Sequence, residues 1–286
     1  MADTAFQRQY RQEFVVGFEQ KQSMLRQTTT TEAVIKGNEA EFLVADSGNA
    51  STVTRGVNGN IPARADNLNQ FTCTLSEEHD LVRKTGFNIF ASQGDQRRIM
   101  QHTTMGTVNR KIDQQIIEQL NLGTVNTGAS ATAGIDLATR ALSILGNAEV
   151  EYDGMICAVI TPAFLSYLLR DNSFSSADYV GMKPLEGMNA AMGGMESMYG
   201  YYNWMGIKWM AHPRLPGRGT ANEKCFMYHK SSIGHAANVM DMNMAVGYDE
   251  EQDYSFARAS IYSGSKLLQN SGVVVMNHDG SALAAA

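Results

Sequence analysis

Residues 45–70, ADSGNASTVTRGVNGNIPARADNLNQ, are rich in Gly, Asn, Ser and Ala and nearly free of large apolar side chains. A compact domain rarely holds a loop beyond about 12–15 residues without structure of its own unless that loop is functional or disordered. On both sides the chain reads as strand. Glu41-Phe42-Leu43-Val44 precedes the segment, and FTCTLSEEHDLVRKT (71–85) follows it with fair alternation. Two strands flanking such a segment predict a long hairpin projecting from the body. Its tip has no core of its own, so a stable placement needs an outside surface.

The rest of the chain is patterned more conventionally. Phe6, Tyr10, Phe14 and Phe18 recur every fourth residue among Arg, Gln and Glu, which predicts a terminal helix of about five turns with one aromatic stripe. That helix ends at the β-branched run Thr28–Thr31. Such a stripe packs on its own core or docks as an arm on another subunit. From Asp95, a plausible N-cap, Met105, Val108, Ile112, Ile116 and Leu120 recur at spacings of three and four, with Gly123 as the stop. This predicts a helix of about 25 residues, about 40 Å long.

Beyond the small-residue linker 124–134, helix and strand alternate. Ile135–Leu145 reads as a helix stopped by Gly146, and Met155–Ile160 as a buried strand. Thr161-Pro162 supplies an N-cap and an N1 proline for a helix over Phe164–Leu169. Strands are expected at Trp209-Met210 and Cys225–Tyr228, a short helix around Ser232–Ala236, a long strand at about 254–268 and a buried one at Val273–Met276. Interleaving of this kind argues for a central sheet in an α/β or α+β lobe.

A chain of 286 residues with 43% hydrophobic and 18% charged content is able to bury a sizeable core. Its formal charge of −6 gives no general attraction to nucleic acid, which needs clustered Lys and Arg. Three scattered cysteines, Cys73, Cys157 and Cys225, argue against a disulfide framework and for a reducing compartment. The polar start MADTAFQRQYRQEF lacks the apolar run of a secretory signal, and no membrane-spanning run occurs.

The candidate chemistry reduces to a few constellations. Met182, Met188, Met192, Met195 and Met198 have no His or Cys beside them, so adaptable packing is the better account than copper. Cys225, His229 and His235 lack a fourth zinc ligand. Ser263-Gly264-Ser265-Lys266 matches S-x-x-K but falls in a predicted strand, without the S-D-N and K-T-G partners. Asp249, Glu250, Glu251 and Asp253 crowd one extended segment, where neighbours point to opposite faces, so they form a solvated or intersubunit bend rather than a metal site. No catalytic, cofactor or metal residue is therefore assigned.

This order of elements resembles the major capsid protein of tailed double-stranded DNA bacteriophages, whose fold is shared with encapsulins and the herpesvirus capsid floor. SQGDQRRIMQHTTMGTVNRKIDQQIIEQLN (92–121) looks like the family's spine helix, and MICAVITPAFLSYLL (155–169) like its strand–Thr-Pro–helix unit. EKCFMYHKSSIGHA (223–236) and YDEEQDYSFARASIYSGSKLLQNSGVVVMNHDG (248–280) look like its closing strands.

The resemblance implies an α+β capsid fold with a helical arm (1–33), an extended loop with flanking strands (34–92) and a spine helix of the peripheral domain (93–126). An axial domain (127–248) and a returning peripheral strand, last axial strand and short tail (249–286) complete it. It implies function by assembly, as hexamers and pentamers closing an icosahedral shell around double-stranded DNA. An encapsulin-like nanocompartment is the nearest alternative, and a cytoplasmic α/β hydrolase a distant one. The implied partners are other copies of the chain, portal and scaffolding proteins, cement or decoration proteins, and packaged DNA by proximity, with no membrane and no cofactor. Assembly is expected in the host cytoplasm. Subunit contacts are expected at Phe6, Tyr10, Phe14 and Phe18 of the arm, Arg55, Asn58 and Arg64 of the loop, and Arg97 and Arg98 of the spine helix. Met188, Met192 and Met195 of the axial lobe, and Asp249, Glu250, Glu251 and Arg258 of the returning segment, complete that set. No Lys–Asn crosslink is expected.

Overall fold

Apolar runs and turn residues divide the chain into twelve strands and five α-helices among the residues that the computed structural model describes: 23–31, 34–47, 50–56, 58–59, 61, 63, 67–91, 96–175, 202–237 and 243–283. The first part holds strands β1 (Val34–Lys36), β2 (Glu39–Asp46), β3 (Asn67–Thr74) and β4 (Ser76–Thr85), then helices α1 (Gly86–Ala91) and α2 (Gln96–Leu120). The middle holds α3 (Ile135–Asn147), β5 (Ile156–Ile160), α4 (Pro162–Arg170), α5 (Asn172–Ser175), β6 (Tyr202–Trp204), β7 (Ile207–Ala211), β8 (Glu223–His229) and β9 (Ile233–Ala237). Strands β10 (Asn243–Asp249), β11 (Tyr254–Leu267) and β12 (Val273–His278) close it.

The chain divides into two compact units. One comprises residues 1–23, 76–114 and 237–263, and is built on the antiparallel order β10-β11-β4. Alternation along β11 puts Ala257, Ala259 and Ile261 on a buried face. Lys84 hydrogen-bonds Gln96 of α2, and Lys111 pairs with Glu78 at 3.3 Å, so α2 lies on that same side.

The other unit comprises residues 24–75, 115–236 and 264–286. Its main sheet has the order β12-β8-β5-β7-β6, with β5 parallel to β7 and the remaining pairs antiparallel. β5 is buried along its whole length, as its unbroken ICAVI run requires of a central strand. Leu137, Ala138, Ala141 and Leu145 form the buried side of α3. The β1-β2-β3 sheet is joined to this unit through a small core of Ala40, Phe42, Cys73, Ala236 and Leu268.

Several local expectations are met. α2 spans 25 residues, and its C-terminus closes with Gly123 N–H donating to the Leu120 carbonyl at 3.0 Å. Thr161 caps α4, its Oγ1 accepting from Phe164 N–H at 3.2 Å, with Pro162 at the first position. β2 and β3 pair from Glu39↔Thr74 to Asp46↔Asn67, the expected hairpin arms.

Four details differ. Residues 71–85 form two strands in different sheets, broken at Leu75, whose N–H turns to the Asn38 carbonyl at 2.8 Å. Of the segment 232–236, everything from Ile233 onward is strand rather than helix. After a 3-10 turn at Lys230–Ser232, His235 N–H bonds the Thr30 carbonyl and Ile233 accepts from Thr30 N–H, and these long-range partners override a weak local preference. α3 runs through Gly146 to Asn147, since one glycine only weakens a helix. Met105 is exposed, and the buried line on α2 is instead Met100, Thr104, Val108, Ile112, Ile116 and Leu120. A strict four-residue step advances about 40° each time, so this line winds about half a turn round the helix from end to end.

Candidate subunit-contact surfaces

The hairpin is built with an anchored inner side and an open outer side. On the inner side Phe42 faces Phe71 across the ladder and packs against Gly234, where a Cβ would stand 2.8 Å from the Phe42 ring. Gly264 similarly lets Cys73 Sγ and the Thr74 carbonyl approach to within 2.8 Å of its own absent Cβ. On the outer side Leu43 and Leu68 are 66% and 61% exposed, and Ala45, paired with Leu68, lies between them on the same face. Val53 and Ile61, in the connection, are exposed as well. At the end of the ladder Asn67 Nδ2 donates to Asp46 Oδ1 at 2.6 Å.

A second surface is the face of the β10-β11-β4 sheet opposite its buried side. Tyr254 and Phe256 meet edge to face at 6.3 Å, and the Arg83 guanidinium lies 4.8 Å above the Tyr254 ring. Arg258 and Leu81, direct neighbours in the ladder, are exposed on this face. His79 Nδ1 lies 2.8 Å from Ser260 Oγ, and Tyr262 donates to Glu77 at 3.2 Å.

The four crowded carboxylates occupy the turn from β10 to β11. Asp249 Oδ1 accepts the backbone N–H groups of Glu251 (3.0 Å) and Gln252 (3.2 Å). These bonds, the Gln252 one foremost, together with Tyr254 and the Arg83 charge, hold the Asp249 carboxyl below its ordinary value. Tyr248 donates its hydroxyl to Asp253, which pushes the phenol up. Asp253 sits in the left-handed region at φ 48°. The cluster is thus a turn that satisfies its own backbone, with Glu250 and Glu251 pointing to solvent.

A third constellation is a buried polar hub around Glu223. This fully buried carboxylate accepts from Thr161 Oγ1 at 2.5 Å and from Gly219 N–H at 2.6 Å. His278 Nε2 stands 3.7 Å away. A Cβ on Gly280 would fall 2.3 Å from the Glu223 carboxyl, so a side chain there would displace that group. Burial pushes the nearby Cys225 thiol up to about 12.

Among the expected contact residues, Arg55 and Asn58 are exposed on the hairpin connection, and Arg98 is exposed on α2. Asp249, Glu250 and Glu251 lie at the β10–β11 turn, whereas Arg258 stands four ladder positions along β11, opposite Ala245. Phe6, Tyr10, Phe14, Phe18, Arg64, Met188, Met192 and Met195 lie outside the described residues, as does the side chain of Arg97. Sequence reasoning missed Leu43 and Leu68. The available signal was their register, since each falls on the side of its strand away from Phe42 and Cys73. Cys225, His229 and His235 do not converge: His229 is engaged by Asp153 and Ser231, and His235 by Ser265. Among the described residues no three His, Cys, Asp or Glu side chains are placed to hold a metal ion. Ser263 is buried within β11, away from any helix start.

A profile of the family described as phage capsid protein matches residues 2–280. The chain belongs to that family.

Solved structures carry the same fold as this capsid protein. A chain of Mycobacterium phage Che8 superposes with a TM-score of 0.70 at 17% identity, over 96% of this chain and 98% of that one. The capsid of a native GTA particle gives 0.68 at 13% identity over 96% of each chain. The capsid of Ralstonia phage GP4 gives 0.66 at 11% identity, over 97% of this chain and 96% of that one. No curated protein matches the capsid protein in sequence. The family match and the fold make it a major capsid protein of the tailed-phage kind, a component of the virion shell. Neither the nanocompartment nor the hydrolase alternative gains support.

Proposed function

We propose that this capsid protein acts solely by assembly, with no catalytic step. It forms hexamers and pentamers that close an icosahedral shell around double-stranded DNA inside the host cytoplasm. The single observation that carries this reading is the β2–β3 hairpin, with one side anchored by Phe42 and the other carrying exposed Leu43 and Leu68. Solvent gives such a face nothing, whereas a neighbouring copy covers it. In this reading residues 34–92 form the extended loop, 93–126 the spine helix, 127–248 the axial domain and 249–286 the returning strand, last axial strand and tail, and 1–33 is the arm. Arg55, Asn58, Arg64, Arg97, Arg98 and Arg258, the acidic turn Asp249–Glu251, the arm aromatics and Met188, Met192 and Met195 contribute subunit contacts. Portal and scaffolding proteins, and cement or decoration proteins, are the further partners, and DNA is enclosed without sequence-specific grip.

The deciding experiment replaces residues 43–70, Leu43 and Leu68 among them, with a two-residue turn closing the Phe42↔Phe71 pair, and images both proteins by negative stain, with the candidate scaffolding protein co-expressed. Full-length chains give shells or capsomers, and the shortened chain gives folded subunits that do not close. Shells that form equally well without the loop would overturn this reading of the hairpin, and a full-length chain that stays monomeric would overturn the shell.

A further inference from the structure

Asn58-Gly59 is the one Asn-Gly step in the chain, and it lies in the connection between β2 and β3. Both residues are exposed. Gly59 takes φ 77°, in the left-handed region, and no atom lies within 4 Å of the place a Cβ would occupy. Among the described residues the Asn58 side chain has no hydrogen-bond partner. Other asparagine amides are held. Asn67 Nδ2 donates to Asp46 at 2.6 Å, Asn270 Nδ2 to Thr124 Oγ1 at 2.7 Å and Asn277 Nδ2 to the Gly128 carbonyl at 2.6 Å.

An unheld asparagine followed by glycine is an arrangement in which a chain attacks itself. The Gly59 nitrogen and the Asn58 Cγ close a five-membered ring, and the missing Cβ leaves the approach open. The nitrogen gives its proton to solvent and the N–Cγ bond forms. The Cγ–Nδ2 bond breaks, and Nδ2 takes up a proton and leaves as ammonia. Water then opens the cyclic imide, at Cγ to give aspartate or at the Asn58 carbonyl carbon to give isoaspartate. Water is the sole co-reactant, and nothing is oxidised or reduced. One bond opposes the attack: Gly59 N–H donates to the Gly56 carbonyl at 2.9 Å. Both ends of that bond are exposed, and hydrogen bonds of exposed loops open at little cost.

We propose that Asn58 is a self-modification site, at which the free chain loses an amide and gains a carboxylate. Between Ser47 and Asp66 the charged side chains are Arg55, Arg64 and Asp66, so the connection carries a charge of +1. The new carboxylate cancels that charge, and isoaspartate also lengthens the backbone by one carbon. On the reading of the hairpin as a subunit contact, on which this consequence rests, a free subunit has a limited time in which to assemble. A neighbour that covers the connection slows the reaction.

Trypsin releases residues 56–64 from the purified full-length chain, because Arg55 and Arg64 bound them. After the intact chain has aged for days in mildly alkaline buffer at body temperature, this peptide gains one mass unit at residue 58 and splits into two chromatographic forms. Asn60, in the same peptide but followed by Ile61, is unchanged. In Asn58→Gln, where the ring would be six-membered, the mass holds. The site is overturned if residue 58 of the folded chain keeps its amide as long as Asn60 does, or if the gain appears only in urea. Shell yield reads the consequence: fresh Asn58→Asp gives several-fold fewer shells than fresh wild type, and aged Asn58→Gln assembles like fresh protein. Equal yields from fresh Asn58→Asp and fresh wild type overturn the limit on assembly. Fresh wild type that forms no shell sinks the shell reading instead, and the mass at residue 58 still decides the site.

Discussion

At the scale of single residues, the fold depends on close approaches that sequence patterns do not announce. Gly234 is one, because its missing Cβ is where the Phe42 ring packs. Gly234→Ala should cost about 1–3 kcal/mol, the usual penalty of overpacking. In a Phe42→Ala background the same change should cost much less. Urea denaturation of the four proteins in that cycle measures the coupling, and equal losses in both backgrounds would contradict the contact. Thr161 is the other. Its hydroxyl accepts from the first turn of α4 and donates to buried Glu223, so Thr161→Val removes a cap and leaves a buried carboxylate short of a donor. A loss of about 1–3 kcal/mol in the same measurement is expected. The Thr-Pro cap was legible in the sequence because capping is local. The partnership with Glu223 was not, because 62 residues separate the two.

At the scale of elements, the hairpin separates folding from assembly. Its inner residues belong to a core, and its outer leucines stand largely exposed among the described residues. Leu43→Lys and Leu68→Lys should therefore change subunit stability by no more than about 0.5 kcal/mol. Both should reduce shell yield, read by sedimentation beside thermal melts. A drop in melting temperature matching the drop in yield would show that these side chains serve folding instead. The two arms were readable from their flanking patterns. The break at Leu75 was not, because alternation continues straight through it and only the switch of partner from β2 to β11 divides β3 from β4. The same holds for β9. Its backbone is extended because Thr30 supplies ladder bonds from about 200 positions away in sequence, which no local propensity encodes.

For the whole molecule, the three cysteines report on global opening, since Cys73, Cys157 and Cys225 are all buried and free. Burial pushes Cys157 up to about 11 and Cys225 up to about 12. Native protein at about pH 8 should resist alkylation at both, and in urea all three thiols should react. Rapid stoichiometric labelling of the native chain would contradict that burial. The raised values also mean that the folded chain keeps protons that the unfolded chain releases from about pH 9. Stability contributed by these thiols is therefore full below 9 and falls as pH rises towards 11 and 12. The sequence by itself determined the order of elements, the long amphipathic helix, the capped α4, the buried β5 and a segment at 45–70 that no core absorbs, because each is encoded in periodicity, caps or composition within one stretch of chain. The tertiary structure alone decided which strands share a sheet, how the buried line winds along α2, which face of the hairpin stays open, and the meeting of Glu223, Thr161 and His278. Those outcomes depend on pairing across long sequence separations, where the free energy lies in contacts that neither partner carries alone.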